Sequence, residues 1–421
     1  MRKKMVSVFF IIVLLAVAFT AQDEGEKLSL VPEAVPPEQV AAAPCVIPAP
    51  PAPPPPVALP EGFFEDDIFF ASYAAALSLL ERMPLEEKVG QIFLARYPTA
   101  KAEELIHQYH PGGFILFSRD FTGKTKDAVV DEIASFQEAA RTPMAVAVDE
   151  EGGTVVRVSR NSALRDRPFP SPQALFKSGE MEAIRADAVE KSLLLLSLGI
   201  NLNLAPVCDI SENPNDYIYP RTFGQPAFET AYYTQTVVFA MVDSGISCAL
   251  KHFPGYAANV DTHVDTAFDE RPIESFRQSD FLPFQSGINA GAQFVLVSHN
   301  IVSCVDSSLP ASLSPGWHRL LRAELRFSGL IITDDLAMDA VSKYITTDSA
   351  AVDALYAGND MIIVTDLEKE YAAVLSAVEE DEQLLLTLDQ AVLRVLAWKV
   401  HQGIIPPEQG YAPLPHEQPQ P

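Results

Sequence analysis

A chain of 421 residues, 48% hydrophobic and 20% charged, is long enough for one large barrel-type domain with extensions and too apolar to be disordered. Asp and Glu outnumber Lys and Arg by 56 to 30, for a net charge of −26. Such a surface repels phosphate backbones and anionic membranes, so nucleic-acid binding is excluded as a function class.

In chain order, Arg2, Lys3 and Lys4 precede an apolar run from Met5 to Ala18, followed by Phe19-Thr20-Ala21-Gln22. A basic start, a short apolar stretch and small residues predict a signal peptide over 1–21. The run is short for a bilayer span; an uncleaved anchor is the alternative, and export is expected either way. Residues 22–62 hold Pro48-Ala49-Pro50-Pro51-Ala52-Pro53-Pro54-Pro55-Pro56. Such a composition favours extended polyproline conformations and predicts a spacer, in which Cys45 is a free thiol or an intermolecular link. A single globular region is expected over 63–403, and a loose Pro-rich tail over 404–421.

Eight short apolar runs punctuate the globular region: Val89–Leu94, Gly113–Phe117, Met144–Val148, Ile200–Pro206, Ser247–Lys251, Gln293–Val297, Leu330–Thr333 and Met361–Val364. Short runs rich in Val, Ile and Leu are the pattern of buried parallel strands. Helical periodicity marks Lys126–Ala140, Ala183–Leu198, Thr230–Val242, Glu274–Asn289 and Asp348–Ala357. Alternation of this kind predicts an α/β fold, a (β/α)8 TIM-like barrel forming a single catalytic domain, with an open doubly wound sheet as the runner-up.

Polar residues follow the runs: Asp149-Glu150-Glu151, His252, Ser298-His299-Asn300 and Asp334-Asp335. In a barrel these positions form the C-terminal mouth, where catalytic groups converge from different strands. Lys251-His252-Phe253-Pro254-Gly255-Tyr256 and Asp261-Thr262-His263 make the densest group; Asp261 is placed to orient the His263 imidazole, and a solvent-facing polar loop is the plain alternative. Of the adjacent acids, Asp334 is the candidate nucleophile and Asp335 the candidate helix cap. On either side of Gly152-Gly153, Asp149 and Arg157 are candidate grips on a hydroxylated ligand. Three consecutive acids also raise a hard-cation site, but without the spacing of a calcium loop. The eight histidines form neither H-x-H nor H-E-x-x-H, so no metal is expected. The four cysteines Cys45, Cys208, Cys248 and Cys304 show no C-x-x-C pair or zinc spacing.

Together, Lys251-His252-Phe253-Pro254-Gly255, Asp261-Thr262-His263 and Thr333-Asp334-Asp335-Leu336-Ala337-Met338 resemble glycoside hydrolase family 3, in its single-domain bacterial β-N-acetylglucosaminidase branch. Gly112-Gly113-Phe114-Ile115-Leu116-Phe117, Asp149 to Arg157, Arg221-Thr222-Phe223-Gly224 and Leu309-Pro310-Ala311-Ser312-Leu313-Ser314 follow the family's order. The resemblance implies an exo-acting, retaining hydrolase needing no cofactor, with Asp334 as nucleophile and His263, paired with Asp261, as acid/base. It implies that Asp149, Arg157, Arg221, Lys251 and His252 bind the terminal sugar, on peptidoglycan fragments or chitooligosaccharides. Two departures stand out: Tyr256-Ala257 replaces the usual His-Gly, and the loop to Asp261 is one residue shorter. A β-glucosidase-type member, a non-catalytic glycan-binding protein with a disarmed loop, and phosphorolysis are the alternatives. The expected partner is a small glycan, with a membrane tether only through an uncleaved N-terminal segment, and the expected state is a monomer.

Overall fold

The computed structural model describes residues 62–256, 267–338, 341, 343–347 and 349–406. The signal segment, nearly all of the Pro-rich stretches, Cys45, Asp261 and His263 lie outside the described residues.

Eight parallel strands form one sheet: β1 (Phe93–Arg96), β2 (Gly113–Leu116), β3 (Ala145–Val148), β4 (Leu202–Asn203), β5 (Ser247–Phe253), β7 (Phe294–Val297), β9 (Leu330–Thr333) and β10 (Ile362–Val364). The order β10-β1-β2-β3-β4-β5-β7-β9 is closed by a parallel bridge between Ile332 and Met361. The hydrogen bonds Asp360 N to Ile331 O (2.8 Å) and Thr333 N to Met361 O (3.2 Å) complete the seam. The TIM-like barrel expected from the sequence is therefore the fold. A separate pair, β6 (Phe268–Asp269) and β8 (Ile301–Val302), lies outside the barrel sheet.

All eight apolar runs overlap a barrel strand, and the boundaries differ most at two of them. Val89 lies in a helix, Leu85–Gln91, and β1 starts only at Phe93. Burial is complete at both Val89 and Phe93, so apolar content alone does not separate a buried helix end from a buried strand. The run Ile200–Pro206 holds only the two-residue β4; Pro206 has no N–H to add to the ladder, and pairing with β5 is taken up again by a bridge between Val207 and Lys251. The helix expected at Ala183–Leu198 is the second part of Pro172–Leu196, broken at Gly179–Glu180, where Glu180 has φ 54°. The Glu274–Asn289 segment is two helices, Ile273–Gln278 and Phe281–Asn289.

The C-terminal helix Glu382–His401 seals the barrel floor. Its Trp398 ring lies 4.8 Å from Phe294, at the start of β7, and its indole N–H donates to Ser247 Oγ at the start of β5 (2.9 Å). The next residue, fully buried Lys399, donates to Gln91 Oε1 (2.7 Å), just before β1. Burying large aromatic surface at the strand N-termini makes that end the stability face and leaves the opposite mouth for chemistry. Cys208, Cys248 and Cys304 are free thiols.

Candidate active site

At the C-terminal mouth a cleft of about 690 Å³ opens, lined by Asp149, Arg157, Arg221, Lys251, His252 and Asp334 among others. These are the five expected sugar-binding residues and the expected nucleophile, delivered by three strands, β3, β5 and β9, and by the loops after β3 and β4. The expected acid/base pair, His263 and Asp261, lies outside the described residues.

Three acids leave β3, and each has a different task. Glu150 is buried, and its carboxylate accepts from the amides of Arg157 (2.7 Å), Val158 (2.7 Å) and Ser159 (3.2 Å), and from Ser159 Oγ. It is a structural anchor that folds the 152–159 loop back over the mouth. Gly152, at φ 106°, makes the tight turn in which its amide and that of Glu151 both donate to Val155 O. Asp149 accepts from Lys251 Nζ (2.7 Å) and faces Arg157 Nη2 at 3.5 Å. Glu151 takes Arg221 through two bonds, Nη2 at 2.7 Å and Nε at 3.0 Å, and also Lys251 Nζ at 2.6 Å.

Burial by itself would push the Glu151 carboxyl up, but Arg221 and Lys251 outweigh it and hold the group well below the usual carboxylate range. For Lys251, burial favours the neutral amine; Asp149 and Glu151 outweigh it and keep the ammonium. The pairs are thus a pre-organised polar wall, ionised and short of free lone pairs.

His252 ends this wall. Arg221 Nη2, which only donates, lies 3.1 Å from His252 Nε2, so that nitrogen accepts and the proton is on Nδ1. Nδ1 donates to Asp209 Oδ2 at 2.7 Å, and the other Asp209 oxygen accepts from the Tyr256 amide (2.7 Å). Asp209, 1% exposed, escaped the sequence reading because it follows the shortest strand, beyond Pro206-Val207-Cys208. Its rim position after β4 was the available signal. The Tyr256 ring, one of the departures from the resemblance, packs edge-on against His252 at 5.6 Å.

Asp334 leaves β9 with Oδ1 accepting the Asp335 amide (2.8 Å). Burial raises its carboxyl, but His299, the Asp335 amide and Lys251 outweigh that and bring it below the ordinary value. His299, noted in the sequence only as a rim histidine, donates from Nε2 to the Asp335 carbonyl (3.1 Å), and its Nδ1 pairs with Ser312 Oγ (2.7 Å). Asp335 does not open a helix as expected. Its carboxylate accepts from Ala337 N (3.0 Å) and Thr365 Oγ1 (3.2 Å), closing a turn. Among the described residues no three His, Cys, Asp or Glu side chains are grouped to hold a metal ion.

The chain matches the glycosyl hydrolase family 3 N-terminal domain over residues 84–398. It is 34% identical over 272 residues to a beta-hexosaminidase of Stenotrophomonas maltophilia strain R551-3, covering 63% of this chain and 79% of that protein. A beta-hexosaminidase of Xanthomonas oryzae pv. oryzae strain MAFF 311018 is 34% identical over 246 residues, covering 58% of this chain and 72% of that one. Among solved structures, a family 3 beta-N-acetylglucosaminidase from Paenibacillus sp. FPU-7 superposes with a TM-score of 0.70 at 31% identity, covering 76% of this chain and 63% of that one. The beta-N-acetylhexosaminidase of Beutenbergia cavernae gives 0.67 at 28% identity, covering 75% and 98%. With an ionised carboxylate at the mouth of a closed barrel and a family match spanning that whole barrel, this chain belongs to glycosyl hydrolase family 3 and is a glycoside hydrolase.

Proposed function

We propose that the chain is an exo-acting, retaining β-N-acetylglucosaminidase that removes terminal N-acetylglucosamine from peptidoglycan fragments or chitooligosaccharides. Asp334 attacks the anomeric carbon while the leaving oxygen takes a proton from His263, giving a β-glycoside-to-α-aspartyl inversion. Water, deprotonated by His263, then attacks the same carbon, expels Asp334 and restores the β configuration. The names of the relatives above support the sugar, and the N-terminal basic and apolar segment supports an exported, periplasmic or secreted, enzyme.

The observation that carries the acid/base assignment is how fully the neighbouring groups are committed. Glu151 is held ionised by Arg221 and Lys251, His252 spends Nδ1–H on Asp209 and accepts at Nε2, and His299 is engaged at both nitrogens. Asp261 and His263 follow Tyr256 in the sequence, and the family resemblance assigns the proton transfer to that pair. A His in this role is suited to working in both directions near neutral pH.

Nitrophenol release from aryl β-N-acetylglucosaminide, run beside the aryl β-glucoside and Asp334→Asn, tests the reading. Turnover of the N-acetyl substrate, abolished in the variant, is expected. Preference for the glucoside overturns the specificity. Binding without cleavage of either would favour a disarmed glycan-binding protein.

A further inference from the structure

The β1–β2 corner of the cleft has a charge imbalance in which Arg96 joins Arg157 of the sugar grip. Arg96 closes β1, and Phe117 follows β2 directly, with Arg96 in register with Ile115. The Arg96 guanidinium lies over the Phe117 ring at 4.2 Å, and that of Arg157 lies over the same ring at 5.5 Å. Both arginines line the cleft. The Nε atoms of both are buried and have no hydrogen-bond partner among the described residues. Elsewhere in the cleft the cations are matched: Arg221 by Glu151, and Lys251 by Glu151 and Asp149. Asp149 is already shared with Lys251 when Arg157 approaches it at 3.5 Å. Among the described residues Arg96 makes no ion pair. The nearby acid, Asp120, accepts from the Phe117 amide (2.7 Å) and faces Arg119 at 3.4 Å.

An aromatic face offsets only part of the desolvation of a guanidinium, and an unsatisfied buried donor is costly. Two planar donors over one ring, in a chain of net charge −26, are suited to one ligand chemistry above others. Arginine forks match the paired oxygens of carboxylate and phosphate. We propose that Arg96 and Arg157, seated on Phe117, form an oxyanion subsite of the cleft. Its occupant is either a carboxylate carried by the glycan or free inorganic phosphate. The inference rests on the hydrolase reading above, but it assigns a residue, Arg96, and a ligand charge that reading does not need.

The test uses the full chain and a β-N-acetylglucosaminyl disaccharide whose second sugar carries a lactyl carboxylate, with its methyl ester as the neutral twin. A kcat/KM ratio of about ten in favour of the acid is expected, collapsing towards one in Arg96→Gln and partly kept in Arg96→Lys. If phosphate is the occupant, acid and ester react alike, while phosphate but not chloride at matched ionic strength saturably alters aryl-substrate turnover, and Arg96→Gln abolishes the effect. The subsite is overturned if wild type shows neither the preference nor the phosphate effect, or if Arg96→Gln lowers acid and ester equally. Turnover of the neutral aryl substrate reads the hydrolase assignment separately. Calorimetric binding of acid against ester reads the subsite even where turnover is absent.

Discussion

Asp334 and Asp209 place opposite demands on a carboxylate. As the proposed nucleophile, Asp334 must be ionised and available; burial raises its carboxyl, and His299, the Asp335 amide and Lys251 outweigh that. For a depressed carboxylate the favourable interaction is present above the unfolded value of 3.8 and is lost only as pH falls through the lower folded one. The acid limb of kcat/KM set by the nucleophile therefore lies below 3.8, and the alkaline limb reports deprotonation of the proton donor. In His263→Ala that alkaline limb should vanish from the pH profile; its persistence would remove His263 from the role. Asp209 instead fixes a tautomer. Asp209→Ala leaves the His252 Nδ1–H and the Tyr256 amide without their buried acceptor, and stability should fall by about 2–4 kcal/mol, measured by denaturant unfolding. In Asp209→Asn the fold should survive, with kcat/KM reduced about tenfold or more as His252 loses its charged partner. Asp334 was legible in the sequence because two acids close an apolar run. Asp209 was not, since it follows a two-residue strand and its partners are 43 and 47 residues away.

At the scale of elements, the loop after β3 shows how one buried acid sets the position of a binding residue. Glu150 gathers three amides and a hydroxyl, so Arg157 reaches the cleft only when that loop is closed. Glu150→Ala should destabilise by about 3 kcal/mol or more and raise KM through displaced Arg157, whereas Arg157→Ala should raise KM with little change in thermal stability. Equal melting temperatures for the two variants would contradict that division. Sequence pattern located every barrel strand, since buried parallel strands are uniformly apolar. It misjudged Val89 and the Ile200–Pro206 run, where a helix end and a proline interrupt an equally apolar stretch. It gave Glu150 no role of its own, since three consecutive acids look alike until the turn at Gly152 sends them in different directions.

For the whole molecule, the division between floor and mouth is the main consequence of closure, and closure depends on the Ile332–Met361 bridge, which periodicity does not reveal. The floor is stabilised by the C-terminal helix, yet it carries Lys399, which burial pushes down to about 7 from 10.5, with Glu87 acting in the other direction. The unfolded chain binds more protons than the native one between those values, so the penalty is full below pH 7 and is relieved as pH rises towards 10.5. Wild type should therefore gain melting temperature relative to Lys399→Met between pH 6 and 9, by an amount worth about 1 kcal/mol or more. A constant difference across that range would mean that the ammonium is solvated in the native state.

The central claim is that Asp334 forms a bond to the sugar. Incubation with an aryl 5-fluoro-β-N-acetylglucosaminide, in which the second step is slowed, followed by peptide mapping by mass spectrometry, tests it most directly. A single glycosyl adduct on Asp334, slowly released as the β-anomer, is the expected result. An adduct on another residue, or turnover to the α-anomer with no adduct, would contradict it.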